Sequence, residues 1–124
     1  MTMRASQNPW IHQIILIMTT NQQKQLNIVQ WNADGFYRHY PEFKLLENKY
    51  NSFVYCIQET KFPFNHHPQF KNYKTFYKNV NSDTVAHGGV AILINDIFDA
   101  EEINLKTNLQ AVAVRIYYPK KIII

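Results

Sequence analysis

The alternation of apolar and polar positions sorts this chain into short strands and one helix. In "LNIVQW", Leu26, Ile28 and Gln30 point one way and Asn27, Val29 and Trp31 the other, which predicts a strand over 26–31. It stops at Asn32-Ala33-Asp34-Gly35, a turn composition with glycine in the last place. Pro41 then suits a first helical turn, with Glu42 beside it at the positive end of the helix dipole. Phe43, Leu46 and Tyr50 make an apolar stripe at helical spacing, Lys49 sits in the last turn, and Asn51-Ser52 closes the helix. "FVYCI", Phe53 to Ile57, is apolar on both faces, as expected of a strand covered on both sides. Strand, helix and buried strand together are the βαβ signature of a layered α/β domain.

Farther along, "KFPFNHHPQFK" (61–71) reads as a long loop with two prolines, followed by a short aromatic strand near Tyr73 to Tyr77. "GGVAILI", Gly88 to Ile94, is another buried strand. In "LQAVAVRIYY", Leu109 to Tyr118, Val112, Val114, Ile116 and Tyr118 face a core, with Ala111, Ala113, Arg115 and Tyr117 on the other side. After the turn "PKK", Ile122-Ile123-Ile124 begins a further strand and the chain stops inside it. A domain is not expected to end there, so residues 26–124 are read as the first part of a longer one. A sandwich without its facing sheet would leave Val112, Val114 and Ile116 on an apolar face in water.

The start of the chain holds another apolar run, "WIHQIILIM", Trp10 to Met18. It is about half the ~20 residues that cross a bilayer, so no membrane association is expected. As a signal peptide it has only Arg4 ahead of it and no small-residue cleavage site behind it. Residues 1–25 are therefore expected to lie outside the fold, with Met18 as the natural start.

Composition changes this picture only modestly. A chain of 124 residues is one domain at most, and 46% apolar residues suffice for a core. The net charge of +4 and a pI near 9.2 favour an anionic partner. Residues 1–82 carry nine Lys/Arg against four Asp/Glu, and residues 83–124 four against five, so the basic excess lies in the first part. One cysteine, Cys56, excludes an internal disulfide and fits a reducing compartment. No P-loop and no G-x-G-x-x-G occurs, so those nucleotide-binding folds gain no support.

The chemistry concentrates at two strand ends. In layered α/β proteins functional groups collect just past the carboxyl ends of strands, where loops open a crevice. Asn32 ends one strand and Glu59 ends the next, with a crossover between them, so adjacent strands would bring both to one rim. A carboxylate beside an amide suits a hard cation such as Mg²⁺, held by one or two protein oxygens plus water and substrate phosphate. Two plainer readings compete: an Asx turn at Asn32, and a surface carboxylate at Glu59.

Four segments in this order, "NIVQWNADG", "CIQETK", "HGGVAILI" and "LQAVAVRI", resemble the endonuclease/exonuclease/phosphatase family of metal-dependent phosphodiesterases. They are most similar to the endonuclease domain that opens the reverse-transcriptase polyprotein of jockey-type non-LTR retrotransposons. "QWN" and "QET" are shared broadly, whereas "GGVAILI" and "AVAVRI" carry the likeness to the retrotransposon branch. The resemblance implies a DNase I-like four-layer α/β/β/α sandwich, of which this chain would be the N-terminal half. It implies Asn32 as an organiser of the phosphate site, Glu59 as ligand of a catalytic Mg²⁺ or Mn²⁺, DNA as substrate and a downstream reverse-transcriptase domain as partner. Lys61 and His87, which flank the recognised strands, are candidate DNA or phosphate contacts. The family's remaining site, a tyrosine, an Asp-x-Asn motif and a late Asp-His pair, has no counterpart here, so the chain alone is expected to be inactive.

Three other features compete for a function. Thr60 to Ser82 has no acidic residue and interleaves Lys61, Lys71, Lys74 and Lys78 with aromatics, which suits nucleic acid. The plainer reading is a solvated loop and an aromatic strand packed in the core. His66-His67 lacks spaced partners for a metal. Cys56, inside an apolar strand, reads as packing and not as a nucleophile.

Overall fold

A computed structural model describes residues 2–4, 12–19, 27–80, 88–107 and 109–117. Among these residues stand eight strands, β1 (Thr2–Arg4), β2 (His12–Thr19), β3 (Ile28–Asn32), β4 (Val54–Gln58), β5 (Tyr73–Lys78), β6 (Val90–Asn95), β7 (Asp99–Ile103) and β8 (Gln110–Tyr117). One helix, α1 (Tyr40–Tyr50), joins β3 to β4. The strands form two four-stranded sheets, ordered β3-β4-β6-β5 and β1-β2-β8-β7.

The first sheet follows from the predicted βαβ unit. β3 and β4 pair in parallel, with Ile28 opposite Val54 and Asn32 opposite Gln58. Pro41 stands in the first turn of α1, and Asn51 ends the helix in the left-handed conformation, its N–H donating to the Glu47 carbonyl at 2.8 Å. Of the apolar stripe only Phe43 is fully buried; Tyr50 is exposed. β6 then pairs antiparallel with both β4 and β5.

Period-two alternation sends the two faces of this sheet into two cores. Val54, Cys56, Val90, Ile92 and Ile94 meet Ile14, Phe98, Val112, Val114 and Ile116 between the sheets. On the other face Tyr55, Ile57, Ala91 and Leu93 pack beneath Phe36, Phe43 and Phe62. The described residues thus make three layers, one of helix and aromatic loop and two of sheet. The fourth layer expected outside the second sheet is not among them.

Two expectations are corrected. Val112, Val114 and Ile116 do not face water: the chain supplies strands to both sheets, and all three are buried against the first. Nor do residues 1–25 stand outside the fold as a whole. His12–Thr19 pairs in parallel along the full length of β8, and the Ile14 side chain has no exposed surface. The cause lies in β8, whose buried backbone N–H and C=O groups need partners on both edges. "HQIILIMT" is an apolar run of strand length that meets that need. Strand β7 was not predicted, since Asp99, Glu101 and Glu102 are weak strand formers. At a sheet edge, however, such charges are tolerated and discourage further pairing, and Glu101 accepts a hydrogen bond from the Tyr117 hydroxyl at 2.6 Å. Ile122–Ile124, the predicted final strand, lies outside the described residues.

Candidate active-site rim

The carboxyl ends of β3 and β4 are stitched to each other and to the start of β6. Ala33, Gly35 and Phe36 donate backbone N–H groups to the carbonyls of Gln58, Glu59 and Thr60, each at 2.9 Å. Thr60 and Lys61 in turn donate to Gly89 and Gly88, at 3.2 and 2.8 Å. Asn32 and Glu59 therefore belong to one rim, as their strand spacing predicts, because β3 and β4 are neighbours.

Left-handed backbone is concentrated here. Asp34, Glu59 and Lys61 have φ of 46°, 52° and 55°, beside Gly35 and the Gly88-Gly89 pair. Non-glycine residues in this region are strained, and such strain gathers at functional sites. Gly89 is dictated by contact as well as by φ: a Cβ there would stand 2.4 Å from Thr60 Oγ1. Its N–H donates to Gln110 Oε1 at 2.9 Å, which ties the rim to the second sheet.

Individual side chains differ in how far the fold engages them. Asn32 is exposed, and its Oδ1 accepts the Asp34 N–H at 3.1 Å, so the Asx turn is present. That bond orients the amide with its NH₂ group left to other partners. The Glu59 carboxylate, half-buried, has no hydrogen bond or ion pair among the described residues. Lys61 forms an ion pair with Asp34, and that hydrogen-bonded ammonium holds the Asp34 carboxyl below the usual carboxylate range. Lys61 thus reaches the rim already neutralised. His87 lies outside the described residues.

The competing sequence features are absorbed by the structure. Lys74 Nζ donates to the Phe98 and Asp96 carbonyls at 2.7 and 2.9 Å, and Lys78 Nζ donates to those of Leu109 and Thr107. Lys74 thereby ties β5 to the turn between β6 and β7, and Lys78 ties it to the loop between β7 and β8. His66 and His67 diverge: His66 Nε2 lies 2.6 Å from the Tyr37 hydroxyl, and His67 Nδ1 lies 2.7 Å from that of Tyr77. Burial pushes the Cys56 thiol up to about 12, so it carries no thiolate at neutral pH. Sequence reasoning missed Asp34, Thr60 and Gln110 as parts of the rim. Only Asp34, two residues past Asn32, carried a local signal.

The fold defined by these layers is a mixed α/β two-sheet fold with its open rim at the carboxyl ends of β3 and β4. Solved structures with this fold include the 3′ phosphatase NExo from Neisseria, bound to a product DNA hairpin. It is matched with a TM-score of 0.51 and 16% identity over 69% of this chain and 35% of that one. The 3′-5′ exonuclease NExo from Neisseria meningitidis is matched with a TM-score of 0.46 and 18% identity, over 61% of this chain and 30% of that one. The chain thus spans about a third of the length of these enzymes. The likeness to the first of these shows a shared fold. No family model matches the sequence, and no curated protein does.

Proposed function

We propose that this chain is part of a Mg²⁺- or Mn²⁺-dependent phosphodiesterase domain acting on DNA, of the retrotransposon endonuclease type, contributing Asn32 and Glu59 to its site. The observation that carries the reading is the Glu59 carboxylate, held on left-handed backbone beside Asn32 with no partner among the described residues. A carboxylate without a protein partner fits an ion that takes one or two carboxylates and keeps several waters. When bound, such an ion neutralises phosphate charge and stabilises a leaving oxygen. Glu59 would hold it. Asn32 would turn its amide N–H groups toward a phosphate oxygen, and the Asx bond from Asp34 keeps the amide from rotating. Lys61, paired with Asp34, positions the rim loop and adds little free charge.

None of the described side chains stands as a general base beside Glu59, and general acid–base help contributes a factor of ~10²–10⁴. The chain by itself is expected to be inactive in plasmid nicking with Mg²⁺. Ion binding tests the reading directly. Substoichiometric Mn²⁺ should broaden backbone NMR signals of residues 32–35, 59–61 and 88–89, and Glu59→Gln should abolish the effect. Broadening elsewhere, or broadening indifferent to Glu59→Gln, would overturn the assignment. A second reading, a phosphatase or exonuclease of the same fold, is favoured by the NExo likeness. An in-frame reverse-transcriptase domain in the flanking nucleotide sequence separates the two.

A further inference from the structure

A second recess lies on the helix-side face of the first sheet, between the 67–70 loop and β5. Its volume is about 390 Å³, and its lining includes His67, Gln69, Phe70, Tyr73, Thr75 and Tyr77. Four of these are flat rings, and each is fixed. The His67 imidazole is bonded to the Tyr77 hydroxyl, the Tyr73 hydroxyl donates to Glu47, and Phe70 packs on Phe36 with ring centroids 5.0 Å apart. The loop that carries His67 and Phe70 is pinned by Asn79, whose Nδ2 donates to the Pro63, Phe64 and His66 carbonyls at 2.8–3.3 Å. Rings already held in place bind a flat ligand without a further ordering cost.

The recess also has a polar requirement that the fold leaves unmet. Thr75 Oγ1 is buried and has no hydrogen-bond partner among the described residues. A buried hydroxyl in that state costs free energy until a donor or acceptor reaches it. Gln69, exposed at the mouth, offers an amide that both donates and accepts. No lining residue is acidic, exposed Lys71 adjoins the recess, and Thr60 to Ser82 holds no Asp or Glu. Rings, hydrogen-bonding groups and a lining without carboxylates, with nearby Glu47 already engaged by the Tyr73 hydroxyl and Lys44, match a planar heterocycle carried on an anionic strand.

We propose that this recess holds one unstacked base of single-stranded DNA, stacked on the Tyr77 and Tyr73 rings and hydrogen-bonded to Gln69 and Thr75. The choice of DNA rests on the reading of the rim as a phosphodiesterase site; the recess itself needs no metal. The test uses the full chain in EDTA and an eight-nucleotide thymidine strand with one central 2-aminopurine, read by fluorescence. Saturable quenching is expected. A strand of eight abasic sugars should compete at least fivefold more weakly, the lower end of what stacking of one base supplies. Gln69→Ala and Thr75→Val should each weaken binding several-fold, although Thr75→Val removes an unsatisfied hydroxyl and should leave the melting temperature unchanged or raised. Equal competition by the abasic strand would show attraction to phosphate alone and overturn the proposal. So would a Thr75→Val protein that melts higher and binds as before, or preferential displacement of the strand by a tryptophan-containing peptide. Strand binding in EDTA needs no ion at the rim, and Mn²⁺ broadening of residues 59–61 needs no strand, so failure at the rim and failure at the recess are distinguishable.

Discussion

The two ends of β4 are built alike and treated oppositely. Each places a left-handed residue next to a buried hydroxyl: Asn51-Ser52 before the strand and Glu59-Thr60 after it. At the first end the polar atoms are engaged. Ser52 Oγ donates to the Asn27 carbonyl, and the Ser52 N–H donates to the Tyr55 hydroxyl at 3.0 Å. The Asn51 N–H closes the helix on Glu47. At the second end the backbone is equally well paired, but the Thr60 hydroxyl and the Glu59 carboxylate have no partner among the described residues. One end is structural chemistry completed within the chain. The other is a strained turn that presents groups the fold does not use, which is the usual mark of a site.

The hardest blow to the second end is Gly89→Ala. The new Cβ would collide with Thr60 Oγ1 at a φ of +90° that alanine resists. Backbone strain plus overpacking predicts a loss of about 2–4 kcal/mol in urea unfolding. Adding Thr60→Ala should recover only the collision, not the strain. A Gly89→Ala protein as stable as the parent would mean that this turn is looser than the contacts describe.

Ser52→Ala and Thr60→Val break the comparison most directly. Ser52→Ala leaves the Asn27 carbonyl without its hydroxyl partner and should cost ~1–3 kcal/mol. Thr60→Val removes a hydroxyl with no partner among the described residues, so it should be neutral or stabilising by up to ~1 kcal/mol. Equal losses from both substitutions would remove the contrast between the two ends. Glu59→Gln belongs with the second: with no partner among the described residues to lose, stability should change by less than ~0.5 kcal/mol while Mn²⁺ broadening disappears.

How much of this was legible in the sequence depends on where the determining contact lies. α1, β3, β4, β6 and β8 are set by local signals, namely a proline at the helix start and apolar runs of strand length. Each appears within two residues of its expected limits at the described ends. The shared rim of Asn32 and Glu59 was legible because a βαβ crossover makes its strands neighbours. β2 was misjudged because "IILIM" was weighed against membrane and signal functions, while its need arises about 100 residues away on the open edge of β8. β7 was missed because its acidic residues suit only an edge, and a strand's place in a sheet is a tertiary fact. Thr60 and Gln110 joined the rim through Gly89, and no spacing rule links those three positions.

The smallest effect concerns the pair that closes the rim loop. Asp34 is fully exposed, and its carboxyl is held below the ordinary range first by the hydrogen bond from Lys61 and then by that ammonium's charge. For a carboxyl whose folded pKa is depressed, the stabilisation is present above the unfolded value and is lost as pH falls through the folded one. The window therefore lies below about pH 4. Solvent and salt screen an exposed pair of this kind, so its mark on overall stability should be slight. A site-resolved NMR titration of the Asp34 carboxyl is the sensitive measurement. The midpoint should rise toward the ordinary aspartate value in Lys61→Met, and in the parent it should rise as salt is added. If Lys61→Met leaves the midpoint where it was, the ion pair does not form in solution. Lys61 would then be a free cation at the rim, the very contact to phosphate that its place after Glu59 first suggested.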